Sequence, residues 1–299
     1  MDNLLKNCKI CPRNCGVDRL MGKTGFCGAD DKIVASRAAL HFWEEPGISG
    51  KNGSGAIFFS GCNLRCIYCQ NSGISRKVSG KEITKERLTE IFFELKEKGA
   101  ENINLVTPTH FALSIKDAIK KAKEEGFDLP FIYNCSGYEN VETLKLLEGF
   151  IDVYLPDFKY IENETARTLS NAPDYPEICK KAIREMVRQT GKIEFDEKGM
   201  VKKGVIVRHL VLPGYTKESK RVIKYLYNTF GEDIFISIMN QYTPMKAVNN
   251  HPVLNRKLSE KEYDDVLDYA IRIGVENAYI QEGETAKESF IPEFDFTGI

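Results

Sequence analysis

From about residue 54 the chain settles into an alternation of short apolar runs and amphipathic stretches, and no other feature constrains its fold as much. "GAIFFS" (55–60) reads as a buried strand. "TKERLTEIFFELKEKG" (84–99) reads as a helix, with Thr84 as N-cap and Leu88, Ile91, Phe92 and Leu95 at i, i+3, i+4, i+7. The unit then repeats. "INLV" (103–106) precedes a helix near 111–125, "PFIYN" (130–134) precedes 139–148, and "IDVYL" (151–155) precedes helical matter through 190, interrupted by "NAPDYP". "GVIVRHLVL" (204–212) leads into 216–229, and "IFISIM" (234–239) is followed, after a loop, by 259–273. Six strand and helix pairs predict an α/β fold with parallel pairing and right-handed crossovers, its strands covered on both faces. A partial (β/α)6 barrel fits; an open doubly wound sheet is the alternative. In both, functional loops gather at the carboxyl ends of the strands.

The first fifty residues differ, being rich in glycine and cysteine with little periodicity. The expected division is therefore 1–50 as a Cys-rich segment, 51–285 as the barrel and 286–299 as a carboxyl-terminal tail. Charge narrows the function classes, because 42 basic residues face 43 acidic ones and no basic stripe carries interleaved aromatics, which argues against nucleic acid as a partner. No apolar run reaches the roughly 20 residues of a spanning helix, and "MDNLLKNCKI" lacks the apolar centre of a signal peptide. The expectation is a cytoplasmic protein with no membrane partner.

Seven of the nine cysteines fall in two tight groups, which in a reducing compartment points to metal ligation rather than disulfides. Cys135 and Cys179 stand alone and read as small core residues. Cys62, Cys66 and Cys69 lie in "FFSGCNLRCIYCQNSG", directly after the first strand. Three thiolates are one short of a closed zinc shell, unless His41 or another distant residue completes it. They suffice for a cubane of four irons and four sulfides with one iron left open. Cys8, Cys11, Cys15 and Cys27 form a complete set of four, with glycines at 16, 22, 25 and 28 to permit tight turns. Zinc and an iron-sulfur cluster both suit that second site. "GKT" at 22–24 is not a phosphate loop, since Val17 stands where a glycine is required and no strand precedes it.

C-x3-C-x2-C with Tyr68 before the last cysteine, on the loop after the first strand of a (β/α)6 pattern, resembles the radical S-adenosylmethionine (SAM) superfamily. The likeness continues through "HFWEEPGISG", "NLVTPTH", "YNCSGY", "YLPDFKY", "RHLVLPGYT" and "HPVLNRKL", and is to an uncharacterised branch similar to the pyruvate formate-lyase activating enzymes. It implies a partial TIM-like radical SAM barrel. It also implies a [4Fe-4S] cluster on Cys62, Cys66 and Cys69, with the amino and carboxylate groups of SAM chelating the open iron. One electron then cleaves the sulfonium to methionine and a 5'-deoxyadenosyl radical, which takes a hydrogen atom from substrate. The expected partners are a reductant such as flavodoxin or ferredoxin and a glycyl radical enzyme.

Further residues carry over by position. Tyr68 would lie against the adenine. "TPTH" replaces the Gly-Gly-Glu run that binds the SAM amino group in many members, leaving Thr107 and Thr109 as candidates, although Thr109 equally suits a cap on the next helix. Asp157 and Lys159, two apart on an extended backbone, point to one face and could serve the SAM carboxylate; Asn134 is the matching position on the preceding strand. Arg208, inside an apolar strand, needs a partner, and a ligand carboxylate would be one. His209 should face the opposite side as a satisfied core histidine, and Gln241 is a candidate ribose or carboxylate contact.

Glu44 and Glu45 in "EEPGISG" could do acid-base work or belong to a solvated linker, and the Phe-rich tail could dock on the barrel or meet a partner. The functional expectation is an activating enzyme acting on a glycine of a partner. The alternatives are a radical enzyme acting on a small molecule or peptide, and a non-catalytic zinc or electron-transfer protein.

Overall fold

The computed structural model describes residues 2–76, 79–281 and 292–299. Ten strands among them form one sheet: β1 (Ile33–His41), β2 (Ser54–Phe59), β3 (Lys81–Ile83), β4 (Ile103–Val106), β5 (Phe131–Cys135), β6 (Val153–Pro156), β7 (Glu194–Phe195), β8 (Val201–Leu210), β9 (Phe235–Met239) and β10 (Ala278–Ile280). Neighbours run β10-β9-β8-β6-β5-β4-β2-β1-β3, and every pair from β2 to β10 along that path is parallel. The order follows the sequence without the reversal that defines a doubly wound sheet, so the fold is the singly wound, partial barrel.

The crossover helices form where apolar residues recur at helical spacing. Thr84 caps the helix Lys85–Glu97 by accepting from the Arg87 N–H at 3.1 Å, and Leu88, Ile91, Phe92 and Leu95 are buried. The later helices Ala112–Glu124, Tyr175–Thr190, Thr216–Phe230 and Glu260–Arg272 fall where the pattern placed them.

Along each strand the period of two sorts side chains between faces. Ile57, Phe59, Leu105, Tyr133, Tyr154 and Val207 turn outward into the core shared with the helices. The opposite set turns inward, where Ile132, Val153, Leu155 and Ile206 close the lower lumen. The same parity brings Asn104, Asn134, Asp157 and Arg208 into the barrel higher up, and an isolated bridge pairs Asp157 with Arg208.

Several elements depart from the sequence expectation. Residues 33–41, read as aperiodic, are the strand β1, antiparallel to β2, and residues 46–49 are a short helix whose fully buried Ile48 joins the inner cluster. Glu44 and Glu45 are consequently not a solvated linker; Glu45 is 8% exposed. The strands β3, β7 and β10, each of two or three residues, are too short to show a pattern. The end of the chain docks on the sheet. The Ala38 N–H donates to the Thr297 carbonyl at 2.8 Å, Arg37 pairs with Asp295, and the Phe294 ring meets Phe58 edge-on. Phe290, also part of that expectation, lies outside the described residues, as do 282–285 of the expected barrel range. No helix among the described residues is long and apolar enough to cross a membrane.

Candidate active site

A cavity of about 230 Å³ opens at the carboxyl ends of the parallel strands. It is lined by Cys62, Cys66 and Cys69, by Asn134, Asp157, Lys159 and Arg208, and by Tyr68, Thr107 and Gln241. Of the residues singled out from the sequence for this site, Thr109 alone is turned away. Its hydroxyl donates to Glu139 Oε1 at 2.7 Å, deep behind the wall.

Each of the three thiols accepts a hydrogen bond, one from within the loop and two from serines of nearby helices. Cys62 Sγ accepts from the Leu64 N–H at 3.3 Å, Cys66 Sγ from the Ser170 hydroxyl at 3.0 Å and Cys69 Sγ from the Ser75 hydroxyl at 3.4 Å. Burial pushes the Cys62 thiol up to about 12, and the neighbouring Cys69 adds to the rise. Burial and then Cys66 raise Cys69 in the same sense. Buried sulfurs whose charges would repel one another, each supplied with a donor, suit a cationic metal centre that would stabilise the thiolate. Among the described residues no three His, Cys, Asp or Glu side chains converge on one point as ligands of a single ion do. A cubane asks for less convergence, because each thiolate binds a different iron. His41 lines the cavity beside them, with its imidazole held neutral by burial and by Arg37.

The charged residues of the cavity form an ionic network. Arg208 donates from Nε to Asp157 Oδ1 at 3.0 Å, from Nη1 to Glu44 Oε2 at 3.0 Å and from Nη2 to Asn134 Oδ1 at 2.6 Å. Lys159 Nζ donates to Asp157 Oδ2 at 2.6 Å. The pair is not a surface salt bridge, since both side chains are under a fifth exposed. Burial opposes the charge on Asp157, yet Lys159 and Arg208 outweigh it and hold the carboxyl below its usual range. The buried partner of Arg208 is thus supplied by the protein: Glu44, which sequence reasoning left without a role. Three of the guanidinium's five N–H donors and one of the ammonium's three are engaged, so both cations keep donors for a ligand carboxylate. Glu45 Oε2 and Asn104 Oδ1 have no hydrogen-bond partner among the described residues.

The remaining wall is aromatic and strained. Tyr68 is fixed by a hydrogen bond from Tyr160 at 2.7 Å and by edge contacts with Tyr160 and Tyr242. Thr107 adopts φ +60°, unusual for a β-branched residue, with its N–H on the Asn134 carbonyl at 2.9 Å. Gln241 accepts from Gln70 through its carbonyl at 2.9 Å. Cys135, read as core, is 3% exposed yet touches the cavity. His209 faces away as expected, with Nδ1 on the Phe158 carbonyl at 2.7 Å, but its Nε2 has no partner among the described residues.

The four amino-terminal thiols lie against the same end of the barrel. Cys8, Cys11 and Cys27 are buried and Cys15 half-buried. The Cys8 N–H donates to the Val17 carbonyl and Cys8's own carbonyl accepts from Gly16, both at 3.0 Å. Buried Arg19 clamps this segment down through the carbonyls of Asp30 and of His110.

Comparison with known proteins agrees with the geometry. The sequence pattern of the Radical SAM superfamily matches residues 56–226. An uncharacterised protein of Methanocaldococcus jannaschii, MJ0674, is 30% identical over 285 residues, 93% of this chain and 78% of that one. The pyruvate formate-lyase-activating enzyme of Clostridium pasteurianum is 27% identical over 199 residues, 63% of this chain and 74% of its own. In fold, the chain is similar to Streptococcus suis SuiB, solved bound to S-adenosylmethionine, with a TM-score of 0.52 at 13% identity over 75% of this chain. It spans about half of SuiB, 48%. With three thiols on the first barrel loop sharing a cavity with an ionic network, and with the pattern covering more than half of its length, the chain belongs to the radical SAM superfamily.

Proposed function

We propose that this chain is an activating enzyme that generates a radical from SAM and takes a hydrogen atom from a glycine of a partner enzyme. The observation that carries the reading is that Cys62, Cys66 and Cys69 line one cavity together with Asp157, Lys159 and Arg208. The three thiols would hold the [4Fe-4S] cluster. When bound, cluster and SAM together supply one-electron cleavage of a carbon-sulfur bond and hydrogen-atom abstraction.

The protein's own part is binding, orientation and exclusion of water. Lys159 and Arg208 offer N–H donors to the methionyl carboxylate, while Asp157 and Glu44 keep both cations in place. Thr107, which lines the cavity, offers its hydroxyl to the amino group. Tyr68 gives a rigid face for the adenine, and Gln241 an amide for the ribose. The similarity to the Clostridium pasteurianum activating enzyme supports a glycine on a partner chain as the hydrogen donor, and a flavodoxin or ferredoxin as the reductant.

Anaerobic protein supplied with dithionite and SAM should form 5'-deoxyadenosine, and Cys66→Ala should abolish it. Product from the variant, or none from iron-loaded wild type, overturns the reading. A glycyl radical signal on a candidate partner, by electron paramagnetic resonance, tests the activating role.

A further inference from the structure

The outer edge of β1 is paired along part of its length only. Residues 33–35 pair with β3, and beyond them the carboxyl-terminal residues take over: the Phe296 N–H donates to the Ser36 carbonyl at 3.1 Å and the Ala38 N–H to the Thr297 carbonyl at 2.8 Å. Leu40 comes next on that side. It stands opposite Gly55 of β2, but Gly55 gives its N–H to the Asn102 carbonyl on its other side, at 2.9 Å, so Leu40 and Gly55 form a pair without hydrogen bonds between them. The Leu40 N–H and C=O therefore point away from β2, as the Ala38 N–H does, and among the described residues no strand or loop pairs with them there.

This open stretch leads to the cavity. A second hollow of about 160 Å³ lies along it, lined by Ala39, Leu40, His41, Phe42 and Trp43 among others. It shares His41, Trp43, Phe58 and Pro292 with the cavity of the three thiols, so the two spaces adjoin. Phe42 and Trp43 are 50% and 53% exposed, although burial favours large apolar side chains most. Aromatic groups left in water beside a hollow suit a surface that another chain covers.

What can use such an edge follows from the chemistry of glycine. A glycine has no side chain, so a protein that singles one out in a partner must hold it through main chain and through its neighbours. An added strand meets both needs, because its N–H and C=O groups pair with the edge while alternate side chains enter pockets beside it. Ala39 and His41, two apart, share one face of β1, and the small Ala39 leaves room there for one such side chain. The residues at Ser36 and Ala38 already accept an extended segment in this manner.

We propose that residues 39–41 take an extended segment of the partner chain as an added strand. Its main chain pairs with the Leu40 N–H and C=O, one side chain fills the hollow beside Trp43, and its glycine passes His41 into the cavity. This rests on the radical reading of the cavity given above. Three residues of edge span about 10 Å and offer one donor and one acceptor, which suits a transient docking.

Nonapeptides with a fixed central glycine, displayed as a random library, can be selected on the anaerobic, iron-loaded protein with SAM present. The selected peptides should slow hydrogen exchange at the Leu40 amide. They should bind Leu40→Pro about five- to tenfold more weakly than wild type. Proline there removes the outward N–H and no bond to β2, so the ladder survives it. Trp43→Ala should weaken the same peptides by about thirtyfold. Unchanged exchange at Leu40 under saturating peptide, equal affinity for wild type and Leu40→Pro, or a library that yields no binder overturns the proposal. If Leu40→Pro fails to fold, the exchange measurement on wild type decides alone. A Leu40 amide already protected in the free monomer would give the edge to another stretch of this chain, and a dimer that Leu40→Pro dissociates in sedimentation would give it to a second copy; either result denies the proposal. Peptides that protect Leu40 with no 5'-deoxyadenosine from iron-loaded wild type would sink the radical reading and leave the strand site standing. Cleavage of SAM without any such protection would do the reverse.

Discussion

Arg208 donates to Glu44 Oε2 at 3.0 Å, so a residue of β8 is tied to the segment that crosses the barrel before β2 begins. The other oxygen of Glu44 accepts from Asn104 at 3.0 Å and Asn134 at 3.3 Å, which joins β4 and β5 to the same carboxylate. Truncating Arg208 strands the Glu44 charge, at a cost of about 3–5 kcal/mol, whereas truncating Glu44 leaves Arg208 paired with Asp157 and costs less. Arg208→Ala should lower the urea midpoint strongly and Glu44→Ala moderately. The double variant should lose less than the sum, with a coupling of about 1–3 kcal/mol. Additive losses would show that the pair contributes nothing jointly.

A second carboxyl is set for a pH effect. Glu139 is buried against Thr109 and Tyr133, and burial pushes its acid up to about 8. The folded value exceeds the unfolded one near 4.3, so the folded state binds the extra proton. Its contribution is fully present below the unfolded value and is lost as pH rises through about 8. Wild-type stability should therefore decline from pH 5 to 9. Glu139→Gln, which keeps the shape and removes the titration, should flatten that decline in urea melts. An unchanged slope would place the titrating group elsewhere.

How far the sequence reveals this fold follows from where each signal resides. The parallel strands are legible because burial on both faces makes them continuous apolar runs, as in "INLV" and "IDVYL". The strand β1 is not, because "IVASRAALH" breaks the run with Ser36 and Arg37. The thiol loop is legible because its ligands are adjacent in the chain. Glu44 is not, since Asn104, Asn134 and Arg208 lie 60, 90 and 164 residues away. Thr109 shows the limit in reverse: "TPTH" places two threonines near the cavity, and the tight turn at Thr107 sends the second into the wall.

Thr107 holds a left-handed backbone that costs a β-branched residue about 1–2 kcal/mol, while glycine there would cost about 0.5–1 kcal/mol in chain entropy. Thr107→Gly should thus leave stability level or slightly higher. If the threonine side chain serves SAM, the same variant should bind SAM more weakly, by calorimetry. A clear loss of stability with unchanged SAM affinity would assign the side chain to packing instead.

Gly61 offers the sharpest steric test of how the amino-terminal segment is coupled to the cavity. Beyond its 2.6 Å approach to the Cys27 carbonyl, a Cβ at this position would stand 3.2 Å from His110 Nε2. That nitrogen donates to the Ser60 carbonyl at 2.7 Å, so the ring cannot withdraw without leaving a buried acceptor unmet. The left-handed conformation adds about 1–2 kcal/mol of its own. Gly61→Ala should lower stability by about 2–4 kcal/mol and reduce iron retention at Cys62, Cys66 and Cys69. Gly73, in the short helix Ser72–Ser75 that follows the thiol loop, has nothing within 4 Å of its would-be Cβ. Gly73→Ala should therefore be neutral or stabilising by up to about 1 kcal/mol, with iron unchanged. If the two alanine variants behave alike in melting and in metal content, the close packing of Cys27 on Gly61 does not hold the two segments together.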